Sequence, residues 1–145
     1  MREILFRGKR AYGGEWVEGF YYMQRGKYAG DKSFCYEYPT ITTGIVETSG
    51  AYGESSEAIE YEVIPETVGQ YTGITDKTGK KIFEGDIVKE YNIFGVEVGI
   101  GAVHWSDLFL AWHITKNKSM YSGNIASYEV IGNIHDNPEL LEGGK

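Results

Sequence analysis

Val68-Gly69-Gln70-Tyr71-Thr72-Gly73-Ile74-Thr75-Asp76-Lys77-Thr78-Gly79-Lys80-Lys81-Ile82-Phe83-Glu84-Gly85-Asp86-Ile87-Val88 is cut by turn signals into short strands. Asp76-Lys77-Thr78-Gly79 separates residues 71–74 from residues 81–83. It joins an Asx-type start to a glycine able to take φ > 0, which predicts a tight hairpin. Glu84-Gly85-Asp86 turns the chain again, and Ile87-Val88 opens a strand suited to closing a small barrel, where glycines serve at sharp bends. This stretch specifies structure and supplies no chemistry.

Upstream of it, Ile4-Leu5-Phe6-Arg7 and Trp16-Val17-Glu18-Gly19-Phe20-Tyr21-Tyr22-Met23 read as a hairpin rich in aromatics, which suit a pleated surface. Residues 24–32 read as a loop and residues 33–38 as an edge strand ended by Pro39, which lacks an N–H for a ladder. Residues 40–48 are β-branched on either side of Gly44, the pattern of a bulged strand. Residues 48–60 hold Ser, Gly and Glu with little apolar periodicity and predict an exposed connection, with a short helix over 56–62 as the competing reading.

Downstream, residues 87–91, 96–105, 108–114 and 127–134 read as strands, with Gly99 and Gly101 marking close backbone approach. Residues 92–95 and Ser106-Asp107 are turns, and residues 116–124 a polar loop. Asn137 before Pro138 predicts a short C-terminal helix with an asparagine cap. The fold class is therefore mainly β: short antiparallel strands forming an N-terminal β lobe and a small SH3-like barrel half, with a C-terminal helix. The expected division is 1–66, including the acidic segment 47–66, and 67–145, packed as one unit.

The chain has 145 residues and a formal net charge of -7. The charge is uneven: residues 33–76 hold eight acids (Glu37, Glu47, Glu54, Glu57, Glu60, Glu62, Glu66, Asp76) and no Lys or Arg. An acidic middle repels phosphate backbones, so it gives no counterion-release footprint. It suits a solvated surface or a basic partner. Cys35 is the single cysteine, so no intramolecular disulfide forms. No stretch reaches transmembrane length and the N-terminus has no apolar signal region, so a cytoplasmic setting in a reducing compartment is expected, with no membrane partner.

Taken in order, several segments resemble the YopX family of bacteriophage and prophage proteins. They are Ile4-Leu5-Phe6-Arg7-Gly8-Lys9 with Trp16-Val17-Glu18-Gly19, residues 67–74 with Asp76 and Gly79, Ile82-Phe83-Glu84-Gly85-Asp86-Ile87-Val88, Gly101-Ala102-Val103-His104-Trp105, and residues 129–141. The resemblance covers nearly the whole chain. It implies a mostly β protein of phage or prophage origin, working inside a bacterial host, with no established biochemical activity. Residues 49–60 match nothing in that pattern.

Candidate chemistry is thin. His104 and His113 flank the Ser106-Asp107 turn, so a two-histidine, one-carboxylate metal site with Asp107 follows only if their faces agree. Surface histidines on a hairpin are the ordinary alternative. Asp76-Lys77-Thr78-Gly79 lacks the repeated acids of a calcium loop, Gly69-Gln70-Tyr71-Thr72-Gly73 precedes no helix that could cradle a phosphate, and Cys35 has no neighbouring base. No catalytic set, metal or cofactor is expected. Arg7, Lys9 and Arg10 form a compact basic cluster followed by Tyr21 and Tyr22. That would serve nucleic acid if basic and stacking groups shared a face. Twelve tyrosines and three tryptophans favour protein interfaces. The expectation is a non-catalytic protein-interaction module with a host or phage partner, or a homo-oligomer paired through open strand edges. A nucleic-acid-binding small barrel is the alternative.

Overall fold

The computed structural model describes residues 3–27, 35–50, 53–114, 118–119 and 125–142. They form two compact units, Ile4–Gly69 and Gln70–Lys145 with Met1–Glu3. The mainly β reading holds, with one short helix among the described residues.

In the first unit, β1 (Phe6–Lys9), β2 (Trp16–Lys27), β3 (Cys35–Gly50) and β4 (Gly53–Glu62) pair antiparallel in the order β4-β3-β2-β1. The sequence pattern placed the first strand two residues early, ended the second at Met23, and split the third at Pro39 into strands over 33–38 and 40–48. β2 runs on to Lys27 because its register with β3 continues from Phe20↔Thr42 to Lys27↔Cys35. Pro39 therefore does not end an edge strand; it sits within an interior one. Its carbonyl accepts the Val63 N–H at 3.0 Å. In a strand the N–H and C=O of one residue face the same neighbour, so the donor that proline lacks is missing on the side away from β2, and the β2 ladder is intact. The rest of the expected loop over 24–32, from residue 28 onward, lies outside the described residues.

The predicted bulge is present: the register of β3 with β4 shifts between Thr42 and Gly44. Beyond it, the expected acidic connection is a hairpin, with Ile45↔Ala58, Glu47↔Ser56 and Ser49↔Glu54 paired. Two cross-strand side-chain bonds to backbone hold what propensity alone would not, from Thr43 Oγ1 to the Ile59 carbonyl and from Thr48 Oγ1 to the Ser55 carbonyl. The unit closes on Ile41 and Val63, both fully buried. Gly8 lies under Val63, where a Cβ would sit 3.1 Å from the Val63 Cβ. Thr67, in the 3₁₀ turn Pro65–Thr67, accepts the Lys9 N–H and donates to the Ile64 carbonyl.

The second unit begins with the predicted hairpin, β5 (Gly69–Thr75) and β6 (Lys81–Phe83), paired through Tyr71↔Phe83 and Thr75↔Lys81. β7 (Asp86–Asn92), β8 (Glu97–Ser106), β9 (Ala111–Ile114), β10 (Lys118–Ser119) and β11 (Ile125–Asn133) form a five-stranded sheet, β10-β9-β8-β7-β11. Among the described residues this order ends in two edges, so the sheet is open where an SH3-like barrel would close. The register of β11 with β7 shifts after Ile125 and after Val130. Alternation puts Val88, Val103, Trp112, Ile114 and Tyr128 on one face, buried with Ile82 as a single core.

The turns around Asp76 and Gly85 act as predicted. Asp76 Oδ1 accepts the backbone N–H of Thr78 and Lys80 and the Thr78 hydroxyl, while Oδ2 accepts the Val130 N–H of β11. Gly85 takes φ +84, and its N–H and C=O bond Val103 and Ile134. The C-terminal helix α1 (Glu139–Glu142) is present. Asn137 does not cap it with its side chain; its Oδ1 accepts the Asn133 N–H at 3.4 Å, packed against Gly132, where a Cβ would meet that oxygen at 2.6 Å.

Candidate interaction surfaces

In the first unit, the register of β1 with β2 sets Arg7 opposite Glu18 and Lys9 opposite Trp16. The Arg7 guanidinium lies 4.8 Å and the Lys9 ammonium 5.9 Å from the Trp16 ring centroid, the geometry of cation–π contact. Arg10 lies 4.4 Å over the Tyr61 ring and 3.2 Å from Glu15. The basic cluster is thus set against rings and a carboxylate of its own unit, and Arg7 is only 8% exposed. Tyr21 and Tyr22 are neighbours in a strand and so face opposite ways. Tyr22 shares the Arg7 and Lys9 face, where its hydroxyl donates to Glu60. Burial and the Glu60 carboxylate hold its phenol above the ordinary tyrosine range. Tyr21 takes the other face, 5.5 Å from Phe6. The structure brings together three of the five predicted side chains, Arg7, Lys9 and Tyr22.

The β3–β4 hairpin stands clear of the core of its unit. Every residue from 45 to 49 and from 53 to 58 is exposed, so neither face of the ribbon is covered there. Register and alternation place Glu47, Glu54, Glu60 and Glu62 on one face, with the exposed Ile45 among them.

In the second unit, His104 and His113 are register partners, their rings 6.1 Å apart. Their surroundings differ. His104 is exposed, whereas His113 is buried beneath Phe109, stacked at 5.1 Å and 16°. Asp107 is exposed in the turn. Among the described residues no group of three or more His, Cys, Asp or Glu side chains is placed to hold a metal ion.

The same turn carries a feature the sequence pattern concealed. Leu108-Phe109-Leu110 reads as the start of an apolar strand, but β9 begins at Ala111 and the three lie in the turn, 83%, 63% and 74% exposed. Leu110 holds φ +49, the left-handed region that glycine favours. At the far end of β8, Asn92 Oδ1 pins the turn by accepting the Phe94 and Val96 N–H groups. Ile93 and Phe94 project from it, 71% and 82% exposed.

Two buried polar groups were also missed. Glu90 is 3% exposed, and among the described residues its Oε1 has no hydrogen-bond partner, nor has Trp112 Nε1. The strand reading of residues 87–91 gives no direction to Glu90; its partner in the ladder is Gly99, where a Cβ would meet Glu90 Oε2 at 2.9 Å. On the opposite face, the Lys77 ammonium lies 4.0 Å over the Tyr91 ring and pairs with Glu129, to which the Tyr91 hydroxyl also donates. Those bonds draw Glu129 below the ordinary carboxylate range and Lys77 above the ordinary lysine range.

No curated protein matches the chain. Among solved structures it is similar to protein EF1440 from Enterococcus faecalis, at TM-score 0.58 and 24% identity, over 97% of this chain and 99% of that one. At that identity the likeness is one of fold. The family model described as YopX protein matches residues 6–142, and the chain belongs to the YopX family.

Proposed function

We propose that this chain is a non-catalytic accessory protein of phage or prophage origin that acts in the cytoplasm of a bacterial host by binding another protein. The observation that carries the reading is the β8–β9 turn, where Leu108, Phe109 and Leu110 stand exposed in succession on a backbone held in the left-handed region at Leu110. Exposed apolar runs and backbone strain both cost stability, and both concentrate where a surface is used. The placement of the cations supports the protein reading over the nucleic-acid one, because Arg7, Lys9 and Arg10 lie against Trp16, Tyr61 and Glu15. No helix among the described residues is long and apolar enough to cross a membrane.

The test is capture of partners by the tagged full chain from host lysate, with and without nuclease, using the natural sequence and Leu108→Ser/Leu110→Ser. Both side chains are exposed, so the fold is expected to survive, which circular dichroism checks. A stoichiometric protein that survives nuclease and is lost from the variant supports the reading. A partner held equally by both proteins removes its basis. Nucleic acid recovered directly, with bound proteins lost after nuclease, moves the nucleic-acid alternative to first place.

A further inference from the structure

We propose that the outer edge of β4, from Glu54 to Glu60, docks an extended lysine- or arginine-rich segment of a partner protein as an added strand. The proposal rests on the protein-interaction reading for the existence of a partner, but uses a surface other than the β8–β9 turn.

β4 is the end strand of its sheet, with β3 on one side. Which backbone groups face outward follows from the side-chain bonds within the hairpin. The Ser55 and Ile59 carbonyls accept from Thr48 and Thr43 of β3, so they face inward. Strand alternation then turns the N–H and C=O of Glu54, Ser56, Ala58 and Glu60 outward. The row has a defined end: the Glu62 carbonyl accepts the Ala11 N–H at 2.9 Å, and Arg10 bridges to Val63. Among the described residues, what remains open is an unbulged run along which an incoming strand can pair by backbone alone, with side-chain charge setting its identity.

Long bare edges are normally blunted by lysine, proline or a bulge in the edge strand. Gly53–Glu62 has no lysine and no proline, and the irregularity in this pair lies on β3. Charge alone guards it. Glu54, Glu57, Glu60 and Glu62 line β4, Glu47 lies across from Ser56, and no Lys or Arg occurs anywhere in residues 33–76. A second copy of β4 would set these acids against each other, and like charges across a strand pair are destabilising. A segment with cations at alternate positions meets Glu54 and Glu60 on their own face, with Ile45, 69% exposed, beside Ala58 to take an apolar side chain. The edge therefore selects a basic strand and rejects its own copy.

The test uses the full chain and a synthetic peptide of about nine residues alternating Lys with Thr and a central Val. A control peptide has Glu in place of Lys. Binding is followed by fluorescence anisotropy, and amide exchange is followed residue by residue. The basic peptide is expected to bind, to slow exchange at Ser56, Ala58 and Glu60, and to weaken several-fold as salt rises from about 50 to 200 mM. Affinity is expected to fall about tenfold or more in Ala58→Pro, which removes an outward N–H and leaves the β3 ladder intact, and in Glu47→Gln/Glu54→Gln, which keeps the backbone. Any of four results overturns the proposal: equal binding by both variants, unchanged exchange at those amides, equal binding of the acidic peptide, or self-association of the chain that Ala58→Pro abolishes. A lysate partner lost in Leu108→Ser/Leu110→Ser but held by Glu47→Gln/Glu54→Gln, with no peptide binding, leaves the interaction reading standing and removes the edge.

Discussion

Substituting Asp76 by Asn tests how the β5–β6 turn is tied to β11. Asp76 is 6% exposed. Burial alone would raise its pKa, but the Thr78 hydroxyl and the backbone N–H groups of Val130, Thr78 and Lys80 outweigh that and bring it down to about 2 from an ordinary 3.8. At about 1.4 kcal/mol for each tenfold change in proton affinity, the ionised form contributes about 2 kcal/mol to folding. A folded-state pKa below the unfolded one gives stability that is fully present above pH 4 and disappears as pH falls towards 2. Asparagine keeps the oxygen that serves Thr78 and Lys80 but turns an amide donor on the Val130 N–H. Asp76→Asn is therefore expected to lose about 2 kcal/mol or somewhat more at pH 7. Urea unfolding of both proteins at several values between pH 7 and pH 2.5 measures the gap. Every other carboxylate is common to both and drops out of the difference. The gap should stay constant down to about pH 4 and then narrow. A gap that is constant over the whole range, or an asparagine variant as stable as the natural protein at pH 7, would refute the reasoning.

Gly19→Ala should be among the most damaging single changes, because a Cβ there would sit 2.0 Å from the Thr42 carbonyl oxygen. A loss of about 3 kcal/mol or failure to fold is expected on thermal melting, whereas Gly44→Ala, with open space around it, should lose less than about 1 kcal/mol. Thr67→Val keeps the shape but strands the Lys9 N–H, which bonds Thr67 Oγ1 at 2.8 Å. Chemical denaturation should show a cost of about 1–3 kcal/mol. Leu110→Gly should be neutral or stabilising by up to about 1 kcal/mol, because the φ of +49 suits glycine and the side chain is 74% exposed. A clear loss of stability would mean that Leu110 makes a contact worth more than its strain.

Where local chemistry and pattern agreed, the fold was legible. Asp76 with Gly79, and Gly85 before Asp86, carry turn chemistry that few other conformations satisfy, so the strands between them had to be short. Gly99 could be read as close approach from the sequence, but its partner could not, since Glu90 belongs to another strand and register is a property of pairing. The acidic hairpin was illegible for a related reason. Ser, Gly and Glu are poor strand formers on average, yet β3 supplies a template, and Thr43 and Thr48 reach across to the β4 carbonyls. Tertiary pairing overrode local preference there. Pro39 misled in the same way: the missing donor matters only on the side where a partner needs it.

The surfaces were less legible than the fold, because alternation shows which residues share a face without showing whether anything covers it. Arg7, Lys9 and Tyr22 do share a face, as a nucleic-acid platform would require, but Trp16 and Glu60 on that face contact them. Leu108-Phe109-Leu110 failed in the opposite direction, since an apolar run reads as buried strand and only the left-handed backbone at Leu110 places it in a turn. Both errors come from judging residues by type when exposure depends on neighbours far along the chain. The acidic ribbon escapes that ambiguity. With both faces and one edge uncovered among the described residues, its charge and its open backbone groups are presented together, so any strand that pairs with β4 must also answer for the charge of Glu54 and Glu60.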